Sequence, residues 1–301
     1  MDRPIRRLLL PVRPITYVRS IGPKRALPTL SSSRHASVYF VSIDLNADLG
    51  EGIGTDPIAL DDALLAVVSS ANIAAGGHAG DADSMARVCE QAAERRVAIG
   101  AHVSYVDREG FGRRPNNVDD DSLRSQILDQ IAALDVAAQA ADSAVTYIKA
   151  HGALYHRACI PGSREAEIII DSALQFKAEH GRSLAILGFA GSDLIMQARE
   201  AGLKAANEAF ADRTYTAEGW LVSRSEPNAV ITDASQALTK LKRLLRDHEI
   251  IAIDGTSIEV EAQSICIHGD TPGAVVMARR LKAAIDADRV KVAPFAPPPK
   301  R

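Results

Sequence analysis

The feature that most constrains the fold is a regular alternation of short β-rich runs with amphipathic helical stretches. Strands are predicted at residues 38–45, 71–75, 97–103, 145–149, 184–189, 204–210 and 264–268. Helices are predicted at 57–69, 81–95, 119–141, 165–179, 192–201, 235–246 and 273–285. Strands separated by helices imply parallel βαβ units, because a parallel crossover needs roughly a dozen residues or more. Such units fit an open doubly wound sheet or a barrel, and periodicity alone does not choose between them.

Two segments at the chain ends are set apart from this α/β domain, which is predicted to span residues 41–290. Residues 1–40 are rich in arginine and serine and contain one acidic residue, Asp2. This composition is typical of a mitochondrial presequence, but a disordered extension or a start codon placed too far upstream explains it as well. Residues 291–301 are predicted to form a proline-rich tail.

Charge and cysteine content exclude several classes of protein. A net charge of −3 gives no electrostatic reason to expect a nucleic acid or an anionic membrane as a partner. No apolar run approaches the roughly 18 residues of a transmembrane helix. The three cysteines form no C-x-x-C pair, which favours a reducing compartment over a disulfide framework. We therefore expect a cytoplasmic protein, or a mitochondrial matrix protein if residues 1–40 are a transit peptide.

Polar side chains that can carry chemistry fall where six of the predicted strands end. The carboxyl ends of parallel strands converge on one face in barrels and in doubly wound sheets, and that face holds the active site. Six segments would thus deliver side chains to one region. They contribute Asn46, Asp48 and Glu51, then His78 and Asp81, then His102 and Tyr105, then Lys149, His151 and Tyr155, then Asp212 and Arg213, and finally His268 and Asp270.

Four of these residues are predicted to be catalytic and to bind a metal: Asp48, His78, His102 and His151. Imidazole and carboxylate suit Zn²⁺, Mn²⁺ or Fe²⁺, with Mg²⁺ as a further candidate, and such an ion lowers the pKa of a bound water. Taken singly, a histidine at a strand end is more often a hydrogen-bonded structural residue than a metal ligand. Asp48 and Asp81 also fit the role of helix N-cap residues.

The other candidates are predicted to bind substrate. Lys149 could hold a carboxylate or be a surface lysine, and Arg113 with Arg114 could clamp a carboxylate or phosphate or form an exposed pair. Asp212 and Arg213 fit an ion pair or a substrate anchor. The glycine-rich run 50–54 is weak evidence for phosphate binding because the chain has no P-loop motif. The remaining substrate-binding candidates are Asn46, Glu51, Asn72, Asp81, Tyr105, Tyr155, His268 and Asp270, whereas His156, His180 and His248 are predicted at the surface and Trp220 in packing.

Seven segments in order resemble the LamB/YcsF family. That family has an irregular seven-stranded (β/α) barrel related to polysaccharide deacetylase and glycoside hydrolase barrels, so the resemblance implies this α/β fold. The segments are IDLNADLGEG from Ile43, SANIAAGGHAGD from Ser70, GAH from Gly100, GFGRR from Gly110, HGALY from His151, FADRTY from Phe210 and IHGDTP from Ile267.

The chain departs from the family pattern at three places. Residues 75–77 are Ala-Gly-Gly where the family usually has Cys-Gly-Phe, so no cysteine nucleophile is available there. Residues 103–106 replace the usual Pro-Gly-Tyr-Pro, and Ala150 replaces a proline before His151. Every candidate ligand is kept, so these changes bear on the substrate range more than on the reaction.

The resemblance implies ATP-driven hydrolysis of the lactam 5-oxoproline to glutamate, together with two further subunits of the B and C types. ATP would be handled largely by those partners. Asp48 and the histidines would position and activate water, while Lys149 or an arginine would hold the substrate carboxylate. Three alternatives stay open: another lactam such as 2-pyrrolidinone, a stand-alone metal-dependent amidohydrolase like the deacetylases, and a non-catalytic subunit that binds substrate or supports assembly.

Overall fold

The computed structural model of the chain describes residues 42–299. Residues 1–40, predicted as a presequence or extension, lie outside this range. The strands are β1 (Ser42–Leu49), β2 (Ser70–Ala74), β3 (Ala98–Val103), β4 (Val145–Ala150), β5 (Ala185–Phe189), β6 (Ala205–Phe210), β7 (Glu249–Ile251), β8 (Ser257–Glu259), β9 (Ser264–Ile267) and β10 (Lys291–Val292). The helices are α1 (Pro57–Leu65), α2 (Ala82–Arg95), α3 (Asp120–Ala140), α4 (Gly152–Ala158), α5 (Arg164–His180), α6 (Asp193–Glu200), α7 (Ala234–Asp247) and α8 (Ala274–Ala287).

Seven parallel strands close into a barrel. Their order is β1, β2, β3, β4, β5, β6 and β9, and β9 returns to pair with β1 from Asp44↔Ser264 to Ala47↔Ile267. The closing pairs confirm the predicted seven-stranded (β/α) barrel and exclude the open doubly wound sheet. Because every barrel strand is parallel, all carboxyl ends lie at one end of the barrel.

The first strand and the first helix differ from their predicted bounds. β1 continues to Leu49, so Asn46 and Asp48 lie within the strand and not after it. Their side chains point into the barrel, where polar partners replace the water that they lose. α1 ends at Leu65, and the amide of Ser69 already bonds to the carbonyl of Leu45 beside β1 at 2.8 Å. The predicted first strand is too short because Asn46 and Asp48 face the barrel interior and interrupt the hydrophobic pattern.

Four elements have no counterpart in the predicted pattern. The short helix α4 begins directly after His151, and β7 and β8 form an antiparallel hairpin. β10 pairs with the first two residues of β1, at Ser42↔Lys291 and Ile43↔Val292. Each is too short to give a periodic signal in the sequence.

The outer face of the barrel is apolar and is covered by the helices. Leu45, Ile73 and Ile99 alternate with inward polar or small residues and belong to the main hydrophobic core. α3 buries Leu123 and Ile127 against this surface, as its spacing predicts. Burying each such side chain stabilises the fold by about 1.5–3 kcal/mol. The helices thus pack against the outer face of the strands, and the polar side chains lie inside the barrel.

Helix starts follow the capping signals in the sequence. Asp56 accepts a hydrogen bond from the amide of Ala59 at 3.0 Å, and Pro57 takes the first helical position, as predicted. Asp81 caps α2 through the amide of Ser84 at 2.8 Å. Side-chain oxygens satisfy amides that have no partner within the helix.

The amino end of the barrel is closed by packing. Tyr147 fills the interior and stacks edge-on with Phe295, with ring centroids 4.9 Å apart. Gly100 makes room for this ring, since a Cβ at that position would lie 2.1 Å from it. Ala296 is buried beside Leu187 in the same small apolar cluster. Open space inside the barrel is therefore left towards the carboxyl end.

Among the described residues, no helix is both long and apolar enough to cross a membrane. Cys89, Cys159 and Cys266 are buried and free, in agreement with the expectation that they form no disulfide.

Candidate functional site

A pocket of about 430 Å³ opens at the carboxyl end of the barrel. It gathers side chains from the ends of β1, β3, β4, β6 and β9, which are far apart in the sequence. The predicted site residues that line it are Asp48, Glu51, His102, Arg113, Lys149, His151, Tyr155, Arg213, His268 and Asp270.

Lys149 lies in the middle of the barrel between two carboxylates. Its ammonium is 2.8 Å from Glu208 and 3.1 Å from Asp48, and these side chains are 0% and 6% exposed. Burial works against the charge, but the carboxylates outweigh it and raise the pKa of Lys149 well above its usual value. Lys149 is therefore a paired internal cation, and its ion pairs are already formed without substrate.

Asp48 is anchored by the same network. Its Oδ1 accepts from Asn72 at 2.8 Å and from Lys149 at 3.1 Å, while Oδ2 faces Nε2 of His102 at 3.5 Å. Burial opposes ionisation, yet His102 and Lys149 hold the pKa of Asp48 well below its usual range. Asn46 completes the network by accepting from Asn72 at 2.7 Å.

Three imidazoles and one carboxylate converge above this network. His78 and His151 stack face to face with centroids 3.7 Å apart, and both meet His102 edge-on. Glu51 Oε1 is 3.0 Å from His78, 3.6 Å from His151 and 3.9 Å from His102. We call Glu51, His78, His102 and His151 the histidine cluster.

Two of the rings form hydrogen bonds to residues outside the cluster. These bonds determine which nitrogen of each ring is unprotonated and directs its lone pair towards the cluster. Nε2 of His151 donates to the carbonyl of Phe111 at 3.0 Å, so Nδ1 carries the lone pair. The Ser104 hydroxyl donates to a carbonyl and accepts from Nδ1 of His78 at 3.1 Å, so Nε2 of His78 carries the lone pair. Such outer hydrogen bonds orient metal-ligating histidines. Nδ1 of His102 has no partner among the described residues.

The cluster fits a divalent metal ion. Four ligands bound at about 2.0–2.1 Å in a tetrahedron lie about 3.3 Å from one another. The potential ligand atoms all lie within 4.8 Å of one another, and the separations given above bracket the tetrahedral value. The fitting carboxylate is Glu51, a predicted substrate-binding residue, whereas Asp48, the predicted metal ligand, is directed towards Lys149.

The contact between His78 and Glu51 is not an ordinary ion pair, because the pKa shifts of both residues disfavour their charged forms. Burial, with Asp48 adding to it, raises the pKa of Glu51 to about 7, and burial lowers the pKa of His78 to about 4. A lone pair of His78 faces the Glu51 oxygen, so that contact needs a proton on the carboxyl group or a metal ion in its place.

A second group of potential ligands lies beside the first, formed by Asp48, Cys266 and His268. Lys149 is 3.2 Å from the sulfur of Cys266 and 3.1 Å from Asp48. The ammonium of Lys149 is therefore the cation at this second group, in the place that a metal ion would take.

His268 is held in place by a buried carboxylate. Its Nδ1 is 3.0 Å from both oxygens of Asp212, which Thr271 also contacts. Burial lowers the pKa of His268, but Asp212 outweighs it and raises the pKa above its usual value. Asp212 thus favours the protonated form of His268, which lines the pocket and fits the role of a general acid.

The structure does not bring every predicted residue into the pocket. Asp81 caps α2, and the hydroxyl of Tyr105 donates to Glu165 at 3.0 Å on the outer side of the barrel. Asn46 and Asn72 lie deeper, in the network below the pocket. Asp212 lies behind His268.

The three histidines predicted at the surface lie there, whereas Trp220 is only partly packed and is 45% exposed. His156, His180 and His248 are exposed, although His156 also borders the pocket. Trp220 stacks on Phe189 with centroids 5.8 Å apart.

Sequence reasoning missed two contributors. Arg224 lines the pocket from a loop without periodic pattern. Gly112 lies against the histidines, with a φ of +63° and room for no side chain, since a Cβ would be 2.9 Å from that of His78. The GFGRR motif contained this signal, because a required glycine marks a close approach.

Comparisons with known proteins agree with this fold and identify the family. Residues 43–300 match the model of the LamB/YcsF family. The A subunit of 5-oxoprolinase from Streptomyces avermitilis is 49% identical over 254 residues, covering 84% of this chain and 100% of that protein. An A subunit of 5-oxoprolinase from Agrobacterium fabrum is 45% identical over 255 residues, covering 85% and 98%. Both names describe these relatives as parts of a multisubunit enzyme.

Among solved structures, the lactam utilization protein from Thermus thermophilus matches with a TM-score of 0.76 and 34% identity. The match covers 85% of this chain and 100% of that one.

Proposed function

The chain belongs to the LamB/YcsF family, and from this we propose that it is the A-type component of an ATP-dependent 5-oxoprolinase. The enzyme would open the lactam of 5-oxoproline to give glutamate, together with subunits of the B and C types. The observation that carries the proposal is the 49% identity to the A component of a 5-oxoprolinase over that protein's full length. The pocket supports it, because it offers groups suited to each part of a hydrolysis.

The histidine cluster would hold a divalent metal through Glu51, His78, His102 and His151. Such an ion would polarise the lactam carbonyl and lower the pKa of the attacking water. Asp48 would add negative charge beside the metal, since its Oδ2 is 3.5 Å from Nε2 of His102, the ring nitrogen that also faces Glu51.

The leaving nitrogen needs a proton when the carbon–nitrogen bond breaks. Water adds its oxygen to the carbonyl carbon, and the ring nitrogen keeps the bonding electrons and becomes an amine. We assign the proton donor to His268, because Asp212 holds it in one orientation and raises its pKa.

ATP consumption belongs to the proposed enzyme as a whole. A five-membered lactam is a stable amide, and phosphorylation of its carbonyl oxygen would supply a better leaving group. We assign much of the nucleotide handling to the B and C subunits because this sequence contains no P-loop motif.

The test is glutamate release from 5-oxoproline by the purified chain, with and without ATP and partner subunits. We expect release only in the full mixture. Turnover without ATP or partners would indicate a stand-alone amidohydrolase. No release with partners that are competent alongside a different A-type component would reject the 5-oxoproline assignment.

A matched pair of variants tests the site. His151→Ala removes a member of the histidine cluster, and His180→Ala removes an exposed histidine on α5. We expect the first to lose zinc or manganese binding, measured by chelator competition, and at least about a hundredfold in coupled activity. Full activity of His151→Ala would instead support a subunit that only binds substrate.

A further inference from the structure

Arg213 is a buried guanidinium group without an ionic partner. The residue is 4% exposed and closely follows the barrel strand β6. It donates to the carbonyl of Val222 at 2.6 Å and to that of Ala229 at 3.3 Å. Within residues 42–299, no carboxylate oxygen lies within 4.0 Å of its nitrogens. The adjacent Asp212 is occupied by His268 and Thr271. Buried charges are normally paired, so an unpaired guanidinium that borders a pocket is suited to pair with an anionic ligand.

Further positive charge surrounds Arg213 at the mouth of the pocket. Arg113 and Arg224 bind the same oxygen of Asp270, at 2.8 Å and 3.1 Å. All three arginines line the pocket, and Asp270 is the carboxylate that balances them. Burial and the neighbouring Arg224 both lower the pKa of Arg213, because burial removes water from its positive charge and Arg224 repels it. A bound anion would relieve that repulsion.

Lys149 does not compete for such an anion. Its ammonium already lies between Asp48 and Glu208 and also contacts the oxygen of Asn46 at 3.3 Å. A substrate carboxylate placed there would meet two negative side chains. The cation available to an anionic ligand is therefore Arg213.

We propose that Arg213, with support from Arg224, is the carboxylate-binding site of the pocket and makes this subunit selective for lactams that carry an acid group. The proposal rests on the proposed function, because it concerns the substrate of that same site. The planar guanidinium binds a carboxylate through two parallel hydrogen bonds. A neutral lactam would leave Arg213 buried and unpaired.

The expected discrimination is large. A site built to pair a substrate's polar group rejects an analogue that lacks the group by far more than a hydrophobic pocket rejects one methylene. We expect 5-oxoproline to bind at least about 100-fold more tightly than 2-pyrrolidinone, the same ring without the acid.

The competing explanation is that Arg213 only fastens the loop that spans Val222 to Ala229. A matched control addresses this. Arg108 also donates to two backbone carbonyls, those of Gly76 and Gly80, and does not line the pocket. Arg108→Met therefore reports on the loss of a carbonyl-bound arginine, and Arg213→Met on the loss of the proposed anion site.

The experiment is equilibrium binding of 5-oxoproline and 2-pyrrolidinone to the purified full chain, followed by NMR. In Arg213→Met we expect 5-oxoproline to lose its roughly 100-fold advantage while 2-pyrrolidinone binds as in the parent chain. Arg224→Met changes a side chain that is a third exposed (33%), so it should fold normally and lose about tenfold in 5-oxoproline affinity. Arg108→Met should retain the parent preference.

Equal loss of both lactams in Arg213→Met would show that the arginine only supports the loop. No binding of 5-oxoproline to the folded parent chain, or an unchanged preference in both pocket variants, would also overturn the proposal. The proposed function fails separately, if the assembled enzyme does not hydrolyse 5-oxoproline although the parent chain prefers acid-bearing lactams.

Discussion

Replacing Lys149 by methionine tests whether the ammonium is an internal counterion. The substitution keeps an unbranched chain of similar size and removes only the charged end. It leaves Asp48 and Glu208 buried without the cation that lies 3.1 Å and 2.8 Å from them. Breaking a buried ion pair by removing one partner costs about 3–5 kcal/mol, because an uncompensated charge remains.

The structure places Lys149→Met at the upper end of that range. The side chains are 3% exposed for Lys149, 6% for Asp48 and 0% for Glu208, so water cannot replace the lost partner. At about 2–4 °C per kcal/mol for a domain of this size, a cost of about 5 kcal/mol should lower the unfolding midpoint by about 10–20 °C. The loss should shrink at low pH, since an unpaired buried carboxyl group can then take up a proton.

The assay is thermal unfolding of the full chain, followed by circular dichroism at about pH 7.5. Lys282→Met is the control, because Lys282 forms an exposed helical pair with Asp286. Adding Glu208→Gln to Lys149→Met should recover about 1–3 kcal/mol, since one of the two stranded charges disappears while Tyr155 keeps an acceptor. A midpoint for Lys149→Met within about 2 °C of the control would refute the counterion argument.

Three further predictions concern single residues. Burial raises the pKa of Asp44 to about 6, so the folded chain binds a proton between about pH 4 and 6 that the unfolded chain does not, and stability falls as pH rises through that window. Asp44→Asn should therefore match the parent near about pH 4 and be more stable by about 3 kcal/mol above about pH 6, as measured by unfolding midpoints across this range. Asp212→Asn should lower the pKa of His268, visible in NMR titration of its ring, and reduce kcat of the assembled enzyme at least about tenfold; an unchanged titration would contradict the role of Asp212. In Gly112→Ala the new Cβ would lie 3.1 Å from the ring of His151, so affinity for zinc should fall at least about tenfold in chelator competition. The unfolding midpoint of the metal-free chain should also fall, because a φ of +63° strains alanine, and an unchanged zinc affinity would contradict the close approach.

How much of the fold the sequence predicts depends on which side of the barrel a residue faces. Outward residues such as Ile99 and the face of α3 give regular hydrophobic patterns, and the elements that carry them fall within a few residues of their predicted bounds. Asn46 and Asp48 face inward, and hydrophobic patterning ends the strand at the first of them. Barrel closure depends on the pairing of Asp44 with Ser264, a long-range contact that periodicity does not encode.

The candidate site follows the same rule. The convergence of strand ends predicts which residues meet, because strand direction alone fixes it. It does not predict charge partners, so Lys149 looks like a free cation in the sequence although two carboxylates already bind it. It also gives no signal for Arg224, since loops have no period that would place a side chain at the pocket.

The chemistry of the proposed substrate explains why Asp212 and Arg213 are neighbours in the chain. In 5-oxoproline the carbon that bears the carboxylate is bonded directly to the ring nitrogen, and the carbonyl lies on the other side of that nitrogen. Asp212 holds His268, the proposed proton donor to the nitrogen, and the next residue is the proposed carboxylate ligand. One turn after β6 would therefore position the residue that holds the proton donor to the ring nitrogen and the residue that binds the carboxylate on the next carbon. The histidine cluster, whose members come from other strands, would act on the carbonyl. Because both roles depend on this one turn, an insertion between Asp212 and Arg213 should abolish ring opening even if every side chain of the pocket is retained.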